Sequence, residues 1–292
     1  MISIVIISKD EEGLDDTLAA VSRQVKDCGD PTEIVVVDAS EHRLEHIRLR
    51  HDAAVRWIDF RPPAGVQVSI PHQRNAGVRA ADGEIIVFTD AGCEPEEGWL
   101  ERLVAPLRGS EQVSAGLALA PEGRSGLYDQ ATVQAMRARY LAQCPTINVA
   151  FRRQAFDAIG GFDERFAYGS DMDFSWRLID AGYRIRSVPA ALVRHDFGDW
   201  RRQLRRSYVY GKARVRLYRK HRSRLKRLLL DDPVVVVYPV FLLGLPLTLL
   251  FPPYPALLFL PAWRNRSNGA LRVVANHLTY GAGVLAELAA SR

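Results

Sequence analysis

The stretch Gly83–Asp90, GEIIVFTD, decides the fold class of this 292-residue chain. Its apolar residues follow one another without the alternation of a half-exposed strand, which predicts a strand buried on both faces. The run ends in Asp90, and a carboxylate at a strand's carboxyl end suits a divalent cation or a ribose hydroxyl. Two residues later, where a second acidic ligand would be expected, the chain offers Gly92. The stretch therefore poses the question of whether Asp90 is half of a metal site.

Three similar runs precede this stretch. SIVIISKD (residues 3–10), TEIVVVDAS (32–40) and VRWIDF (55–60) are interpreted as strands, with segments of helical character between them. Strands that alternate with helices predict an α/β protein with a doubly wound, mostly parallel sheet. Ligands bind such sheets at the carboxyl ends of the strands. Here those ends carry Ser8, Asp38 and Asp90.

The pattern changes after residue 95. Helices are predicted at residues 96–108, 127–143 and 170–180, and a strand at 113–121. In the helix at 170–180, Phe174 and Leu178 form an apolar face behind an acidic first turn that contains Asp171 and Asp173. Acidic residues suit a helix N-terminus because they complement the helix dipole.

Composition and charge narrow the class of protein. The three cysteines show neither pairing nor metal-ligand spacing, which indicates a reducing compartment. The chain opens directly on a strand-like run, so no signal peptide is expected. Residues 201–227 contain 13 Lys and Arg and no Asp or Glu. Such a segment suits anionic lipid or a diphosphate. Nucleic acid is not expected as a partner, since no nucleic-acid-binding motif accompanies the charges.

An uncharged stretch follows the basic segment. Pro233–Trp263 holds 31 residues and seven prolines, too long for one straight span and too short for two. Both of its flanks are basic, and this places both ends on the cytoplasmic side of a membrane. The prediction is a shallow re-entrant or interfacial hairpin that turns at FPPYP, residues 251–255. A proline-rich apolar subdomain and a dimer surface are the alternatives.

Several polar residues could carry chemistry, and each has an ordinary structural explanation when taken singly. Asp38 could be a solvated loop acid, the Arg74–Asn75 pair a helix start, Asp171 and Asp173 helix-capping acids, and His195 a structural histidine. Their order along the chain is more specific. RNAG (74–77) with ADGEIIVFTDA (81–91), and NVAFRRQAFDAIGGFDERF (148–166) with SDMDFSWRL (170–178), resemble the inverting nucleotide-sugar glycosyltransferases of family 2, which have a GT-A fold. The resemblance covers roughly residues 1–215.

The resemblance implies a domain organisation and a set of roles. It implies a nucleotide-sugar-binding half (1–95) and an acceptor-binding and catalytic half (96–215). The charge and apolar patterns predict, in addition, a basic, then apolar, membrane-associated region (216–292). Asp171 matches the catalytic base. The residues that match donor contacts are Ser8, Glu11, Asp38, Arg74, Asn75 and Asp90. The candidates for diphosphate or acceptor contacts are Asp173, Arg201, Arg205 and Arg206.

The missing second acid bears on the cofactor. A cation bound to a diphosphate needs only one or two protein ligands, because phosphate oxygens and water fill the remaining positions. Asp90 and His195 are therefore the expected ligands of Mn²⁺ or Mg²⁺, and Glu94 is a further candidate. In the alternative, arginines between Arg201 and Arg206 neutralise the diphosphate without a metal.

The expected function is transfer of a sugar from a nucleoside diphosphate to an acceptor hydroxyl, with inversion. The apolar region suggests that the acceptor is lipid-linked or close to the membrane, and that the protein lies at the cytoplasmic face. One rival is a nucleotidyltransferase, but SKDEEG (8–13) lacks the glycine-rich phosphate loop that this class needs. The other rival is a non-catalytic sugar-nucleotide-binding or membrane scaffold protein, which Gly92 favours.

Overall fold

The computed structural model describes residues 1–62, 65–66, 68–122, 129–264 and 269–290. The chain divides into two compact units, Met1–Asp196 and Phe197–Arg292. The sequence analysis expected functional regions with boundaries at 95 and 215, and that division remains a prediction. In the structure one sheet continues through residue 95, and residue 215 lies within a helix that runs from Trp200 to Lys220.

The first half of the N-terminal unit alternates strands and helices, as predicted. The strands are β1 (Ile2–Ser8), β2 (Thr32–Asp38), β3 (Val55–Asp59) and β4 (Ile85–Asp90). The helices are α1 (Leu14–Asp27), α2 (Glu45–His51) and α3 (Ile70–Ala80). The four strands are parallel and lie in the order β3-β2-β1-β4. Every residue of β1 is buried, as its apolar run predicts.

Helix α3 packs directly on this parallel sheet. A Cβ at Gly77 would lie 2.3 Å from Cγ1 of Val5 on β1 and 3.1 Å from Cγ2 of Val37 on β2. Glycine is therefore needed at position 77 for the close approach. The contact fixes the start of α3, which carries Arg74 and Asn75, against the carboxyl ends of the strands.

The second half of the unit adds five strands and makes the sheet mixed. They are β5 (Cys93–Pro95), β6 (Val113–Leu119), β7 (Tyr140–Leu141), β8 (Asn148–Arg152) and β9 (Ile185–His195). β8 is antiparallel to β4 and β6, while β9 is parallel to β6 and antiparallel to β5 and β7. The prediction of a mostly parallel sheet is thus wrong for this half. A buried apolar run indicates a strand but not its direction, because composition is the same either way.

The helices of this half are α4 (Trp99–Arg108), α5 (Asp129–Ala135), α6 (Arg153–Ala158) and α7 (Ser170–Asp180). The predicted helix at 170–180 is confirmed, and that at 96–108 is confirmed from Trp99 onward. The predicted helix at 127–143, whose first two residues lie outside the described ones, is wrong beyond Ala135. Tyr140 instead pairs with Arg186 of β9, and the guanidinium of Arg184 lies 4.4 Å from the Tyr140 ring centroid. These tertiary contacts override the helical spacing.

An aromatic cluster joins the two halves of the sheet. Its rings lie 4.4–6.0 Å apart and come from β4, β8, α6, α7 and the loop before α7. The members are Phe88, Phe151, Phe156, Phe162 and Phe174, all buried. Because aromatic pairs add attraction beyond the area they bury, this cluster holds the strand that ends in Asp90 against α7, whose first turn contains Asp171.

The C-terminal unit is helical. It contains α8 (Trp200–Lys220), α9 (Leu228–Asp231), α10 (Val234–Leu243), α11 (Phe259–Arg264) and α12 (Ala270–Ala290), with 3₁₀ segments at Arg222–Arg227, Leu245–Leu249 and Tyr254–Leu258. Helices α8 and α12 pack closely: a Cβ at Gly211 would lie 2.1 Å from the carbonyl oxygen of Tyr280. Gly281 of α12 packs in the same way against Tyr238 of α10.

The predicted apolar hairpin forms a series of short helices in this unit. The chain turns back within it, since the ring of Tyr254 stacks on Phe241 at 5.1 Å and its hydroxyl donates to the Phe241 carbonyl. Among the helices of the described residues, none combines the length and the apolar character that a membrane crossing requires. The membrane association of residues 216–292 remains a prediction.

Candidate active site

Three of the predicted donor residues meet at one edge of the sheet. Ser8 is opposite Asp38 in the β1–β2 register, and Ile7 is opposite Asp90 in the β1–β4 register. Ser8 is 3% exposed, and its hydroxyl has no hydrogen-bond partner among the described residues. The parallel arrangement of β1, β2 and β4 thus produces a polar edge from residues that are far apart in sequence.

Asp38 lies beneath this edge and is held by the loop that follows it. Its Oδ1 accepts hydrogen bonds from the Ser40 hydroxyl at 2.5 Å and from the Ser40 backbone N–H at 3.2 Å. Ser40 Oγ also accepts from the Asp10 backbone N–H at 2.7 Å, and Asp10 is paired with Arg43 at 2.6 Å. Burial raises the pKa of Asp38, and the hydrogen bonds from Ser40 partly offset that effect. Asp38 is therefore one end of a chain of contacts that positions the loop after β1.

Arg74 and Asp90 form an ion pair. The guanidinium donates to Asp90 Oδ1 at 2.8 Å, and the Arg74 side chain is only 5% exposed against 28% for Asp90. The guanidinium carbon lies 5.6 Å from the ring centroid of Phe88 and 5.8 Å from that of Phe162. The sequence analysis assigned both residues to the donor separately. The structure shows that a buried arginine orients the Asp90 carboxylate.

The Asn75 side chain forms its hydrogen bonds with the loop that precedes α7. Its Nδ2 donates to the Phe162 carbonyl and to Glu164 Oε1, both at 2.9 Å, and its Oδ1 accepts from the Phe162 backbone N–H at 2.9 Å. His72 lies 3.4 Å from the other oxygen of Glu164. These contacts favour a positioning role for Asn75, which ties the donor half to the loop that leads to Asp171.

Gln73 was missed by the sequence analysis. It is 3% exposed, and its Nε2 donates to the carbonyls of Ser8 at 2.8 Å and Val37 at 3.0 Å. These two carbonyls are at the carboxyl ends of β1 and β2, where the ladder of sheet hydrogen bonds stops. Its place beside Arg74, in QRNAG (73–77), is the only signal that the sequence offered.

The turn after β4 explains the absence of a second acid. Gly92 has φ of +82°, a conformation in which a side chain is strained, and its N–H donates to Thr17 Oγ1 at 2.9 Å. A Cβ built at Gly92 would lie 3.7 Å from the imidazole of His195 and 3.9 Å from the carboxyl carbon of Glu11. The space that a second acidic side chain would occupy is therefore bordered by His195 and Glu11.

Strand pairing places His195 beside the Gly92 turn. It ends β9 and is directly opposite Cys93 of β5. Its Nδ1 lies 3.3 Å from the Gly92 carbonyl oxygen and 3.8 Å from Cys93 Sγ. Burial raises the pKa of the Cys93 thiol to about 12, so the thiol stays protonated. The adjacent Glu94 is exposed and, by the alternation of a strand, faces away from His195. This orientation argues against Glu94 as a shared ligand.

Asn148 sets the register of β9 and was also missed. The pairing of β6 with β9 shifts after Gly116, so that three residues of β9, 189–191, lack a partner on β6. Asn148, fully buried, donates to the carbonyls of Leu117 and Ala191, both at 2.8 Å, and accepts from the Trp99 indole N–H at 2.8 Å. It satisfies the backbone groups that the bulge leaves open, and the bulge aligns His195 with Cys93.

The donor set fits a divalent cation that is shared with a diphosphate. Asp90, Glu11 and His195 surround the Gly92 turn, and their carboxylates and imidazole suit Mn²⁺ or Mg²⁺. Within the described ranges no group of three or more His, Cys, Asp or Glu side chains is placed so that it could hold a metal ion. The residues present are thus compatible with a site that a bound nucleotide would complete.

The two acids of α7 differ in environment. Asp171 is half-buried at the helix start, and its Oδ1 accepts from the Met172 backbone N–H at 2.9 Å. Asp173 is fully buried and paired with Arg177 at 2.8 Å. Its burial favours a structural role over the predicted contact with diphosphate or acceptor. Asp171 is the more accessible of the two to a substrate.

The buried thiol of Cys144 is influenced by charges from both halves of the candidate site. Burial raises the pKa of Cys144 to about 12, and the negative charge of Asp171 raises it while the positive charge of Arg74 lowers it. Both charged groups therefore lie within electrostatic range of this one thiol. The candidate base and the Arg74–Asp90 pair belong to the same region of the N-terminal unit.

The predicted arginines lie in the C-terminal unit, on α8. Asp199 caps this helix by accepting from the Arg202 N–H at 2.8 Å. Arg201 and Arg205 are exposed, and Arg206 donates to the Phe197 carbonyl at 3.2 Å. Their contact with a diphosphate or acceptor remains a prediction.

A cavity of about 630 Å³ lies at the opposite edge of the sheet, where β4 begins. Arg153 lines it and donates to the carbonyls of Val78, Ala81 and Gly83, at 2.8, 2.6 and 3.0 Å. These bonds close the C-terminal end of α3. The other lining residues come from the start of β4, the end of β8 and α6, so the cavity is separate from the Ser8–Asp38–Asp90 edge.

Comparison with known proteins agrees with this geometry. The sequence profile of glycosyl transferase family 2 matches residues 3–160, and that of glycosyl transferase family group 2 matches residues 129–271. A solved mannosyltransferase from Pyrobaculum calidifontis, in complex with GDP-Man and Mn²⁺, aligns over 100% of this chain and 88% of its own, with a TM-score of 0.68 and 17% identity. The fold is the GT-A fold of nucleotide-sugar transferases. The chain belongs to glycosyl transferase family 2.

Two curated relatives illustrate the range of the family. The pre-mycofactocin glycosyltransferase of Mycobacterium tuberculosis is 29% identical over 191 residues, which is 59% of this chain and 39% of the relative. Glycosyltransferase AglE of Haloferax volcanii is 24% identical, over 77% of each chain. The chain thus spans well under half of the first relative's length.

Proposed function

We propose that this protein transfers a glycosyl group from a nucleoside diphosphate sugar to an acceptor hydroxyl, with inversion at the anomeric carbon. The observation that carries the proposal is the polar edge where Ser8, Asp38 and Asp90 meet at the carboxyl ends of adjacent parallel strands. Membership of family 2 supports it, as does the similarity to a mannosyltransferase solved with GDP-Man and Mn²⁺.

The donor would lie along this edge. Asp38 and Ser8 border the part of the edge nearest β2 and suit the nucleoside, while Asp90 suits the ribose and the diphosphate. Arg74 holds the Asp90 carboxylate in one orientation, and Asn75 and Gln73 hold the surrounding backbone. A site held in this way needs little reorganisation when the donor binds, which is the structural basis of positioning in catalysis.

A divalent cation would be held by Asp90 and His195, and Glu11 borders the Gly92 turn together with His195. When bound, the cation would stabilise the negative charge that develops on the leaving diphosphate. The alternative, in which arginines of α8 supply this stabilisation, stays open and leads to a different dependence on chelators.

Asp171 is the proposed catalytic base. In a single displacement with inversion, the acceptor hydroxyl attacks the anomeric carbon from the face opposite the diphosphate and loses its proton to a carboxylate. Asp171 is half-buried at a helix start and shares electrostatic surroundings with Arg74. A positioned base contributes roughly 10²–10⁴-fold to the rate.

The acceptor is proposed to be lipid-linked or close to the membrane, with the protein at the cytoplasmic face. Two observations support this. Basic residues of α8 and the following 3₁₀ segment are exposed, and an apolar surface follows them in the same unit.

A non-catalytic sugar-nucleotide-binding or scaffold role is the second candidate, because Gly92 stands where a second acid is expected. The presence of Asp171 and His195 favours the enzyme. Catalysis and binding alone make different predictions for Asp171→Asn.

Asp171→Asn tests the proposal. In the full chain, with a donor selected by thermal shift and membrane lipid extract as acceptor, the variant should release nucleoside diphosphate about 10²–10⁴-fold more slowly. Its donor dissociation constant, measured by calorimetry, should be unchanged. Asp180→Asn, at the far end of the same helix, is the matched control and should turn over normally. Wild-type turnover by Asp171→Asn would remove Asp171 as base, and an inactive wild-type chain that binds donor would favour the scaffold.

A further inference from the structure

The C-terminal unit exposes an unusual amount of apolar surface in one segment. In the N-terminal unit the exposed large apolar side chains are scattered, as at Leu49 and Val133. Between Leu243 and Leu260, in contrast, they follow one another closely, and we name this segment the apolar tip. Its exposed members are Leu243, Leu245, Leu247, Leu249, Leu250, Phe251, Leu257, Phe259 and Leu260. A soluble monomer rarely leaves so many neighbouring apolar side chains in water.

The most exposed residues of the tip lie where the chain reverses. Leu249 is 88% exposed and Leu250 86%, just before the turn that brings Tyr254 back onto Phe241. After the turn, Phe259 is 75% exposed and Leu260 77%. These side chains project from a hairpin whose own contacts are made by other residues, so they are available to an external apolar phase.

The tip is attached to a rigid base. Helix α10 packs closely on α12, since a Cβ at Gly281 would lie only 2.9 Å from Tyr238 Cβ. Helix α12 is in turn bound to α8 by Arg216, whose Nε donates to Glu287 at 2.7 Å. The two 3₁₀ segments of the tip, Leu245–Leu249 and Tyr254–Leu258, have five residues each, a length of about 10 Å, well under the roughly 30 Å thickness of a bilayer's hydrocarbon core. The dimensions suit insertion into one leaflet.

Charge indicates which surface the tip meets. No charged residue occurs from Pro233 to Trp263, and the preceding 3₁₀ segment Arg222–Arg227 carries four basic residues and no acid. The nearby acids are engaged: Asp231 lies 3.4 Å from Arg227, and Asp232 lies 2.9 Å from Arg214. An apolar projection beside a basic segment is complementary to an anionic lipid headgroup layer above hydrocarbon.

We propose that the apolar tip inserts into one leaflet of an anionic membrane, with Arg222–Arg227 against the headgroups. The inference concerns binding alone and does not depend on glycosyl transfer, so its failure would leave the proposed reaction intact. It predicts which residues enter the lipid: those around Leu249 and Leu250 most deeply, and Phe259 and Leu260 with them.

Flotation of the full chain with lipid vesicles tests the proposal. Vesicles of phosphatidylcholine with about 30% phosphatidylglycerol should carry the protein upward, and phosphatidylcholine alone should carry much less. Leu249→Ser with Leu250→Ser should weaken partition by about 100-fold, since each leucine moved into hydrocarbon strengthens partition by roughly tenfold or more. Leu49→Ser, an equally simple change at a side chain that is 70% exposed in the N-terminal unit, is the control and should float normally.

The basic segment is tested separately. Arg222→Ala with Lys226→Ala should weaken binding to the anionic vesicles by about 25-fold at low salt, because each basic side chain near such a surface contributes about fivefold. Arg23→Ala with Lys26→Ala, an exposed basic pair on α1, is the matched control. The effect should diminish at high salt.

Two outcomes would overturn the proposal. The first is a wild-type chain that stays in the bottom fraction with both kinds of vesicle. The second is a wild-type dimer in solution that does not float and that Leu249→Ser with Leu250→Ser converts to a monomer, since the tip would then be the contact between two copies.

Discussion

At the scale of single residues, the ion pair between Arg74 and Asp90 sets the orientation of the Asp90 carboxylate in the candidate site. The Arg74 guanidinium is nearly inaccessible to water, so Asp90 and the rings of Phe88 and Phe162 supply its main compensation. Asp90 is more exposed, and water can solvate it if Arg74 is lost. The two partners therefore depend on each other unequally.

This asymmetry predicts the outcome of a double-mutant cycle. Asp90→Asn should destabilise the chain by about 1–3 kcal/mol, because it leaves a buried cation with a weaker partner. Arg74→Met should destabilise it less. The double variant should be more stable than the sum of the two changes implies, with a coupling of about 0.5–3 kcal/mol. Urea unfolding of the four proteins measures these values, and strict additivity would show that the pair contributes no coupling.

Asp38 predicts a pH dependence of stability. Burial raises the pKa of Asp38 in the folded protein above its ordinary value. The folded state therefore holds this proton more tightly than the unfolded state. The resulting destabilisation is fully present above the folded pKa and disappears as the pH falls to the unfolded value.

Asp38→Asn tests this sign. Asn can still accept the hydrogen bonds from Ser40, so the variant should be at least as stable as wild type at pH 8. Its advantage should shrink as the pH falls through the raised pKa toward 4. Thermal melts across this pH range measure the difference, with Asp52→Asn, at an exposed residue that follows α2, as the control. If the stability of Asp38→Asn relative to wild type is lower at pH 8 than at pH 4, burial does not raise the pKa of Asp38.

At the scale of elements, the sequence was most informative where one buried run makes one strand. The runs that end in Ser8, Asp38 and Asp90 predict their strands and their shared edge, because buried parallel strands carry continuous apolar residues and ligands collect at their carboxyl ends. The bulge of β9 gives no such signal. Its register depends on Asn148, a lone polar residue whose three partners are 31, 43 and 49 positions away. Such contacts exist only after folding.

The same limit applies to Tyr140 and to Asp173. The spacing around Tyr140 is helical, but pairing with β9 and the stacked Arg184 make it a strand. Asp173 matches an acidic motif, but its side chain faces the interior and Arg177. At Tyr140 long-range pairing decides the structure, while at Asp173 burial beside Arg177, four residues along the same helix, favours a structural role.

The β9 network leads to a prediction at this scale. Trp99→Phe removes the indole donor and leaves Asn148 Oδ1 buried without it, so the free energy of unfolding should fall by about 1–3 kcal/mol. Asn148→Ala deprives three buried groups of a partner and should destabilise the chain more. Trp57→Phe, at a half-buried tryptophan on β3, is the control. If Trp99→Phe is as stable as that control, the network does not fix β9.

The network should also influence the cation through His195. Trp99→Phe should raise the Mn²⁺ concentration needed for half-maximal turnover, while the kcat at saturating Mn²⁺ changes little. A purely structural role would lower the amount of folded protein without changing the Mn²⁺ dependence. The ratio of these two parameters distinguishes the explanations.

At the scale of the whole molecule, two surfaces of different chemistry belong to one chain. The N-terminal unit carries the polar edge with the candidate cation ligands, and the C-terminal unit carries basic and apolar surface. A donor nucleotide is soluble and anionic, whereas the proposed acceptor is held in a membrane. The division of the chain corresponds to this division between substrates, so donor binding should be measurable without any lipid.

Thermal unfolding with a panel of nucleoside diphosphate sugars makes that measurement. A donor at 100 times its dissociation constant adds about 2.7 kcal/mol. For a unit of the size of Met1–Asp196, this corresponds to a rise of about 5–10 °C in the unfolding midpoint. With Mn²⁺ or Mg²⁺ the rise should be full, and with EDTA it should be small. His195→Ala should reduce the metal-dependent part, while His42→Ala, on an exposed loop, should not.

The panel distinguishes stabilisation of the diphosphate by a cation from stabilisation by arginines, because the two proposals depend on different residues. A rise that survives EDTA would move stabilisation of the diphosphate from Asp90 and His195 to the arginines of α8, and Arg205→Ala would then be the informative variant. A wild-type chain that shows no rise with any donor would contradict a nucleotide-sugar site at the Ser8–Asp38–Asp90 edge. A sugar-nucleotide-binding protein without activity would then be excluded as well. A membrane scaffold, the other form of the second candidate, would be the better account of Gly92, since a chain that binds no donor has no diphosphate charge to neutralise.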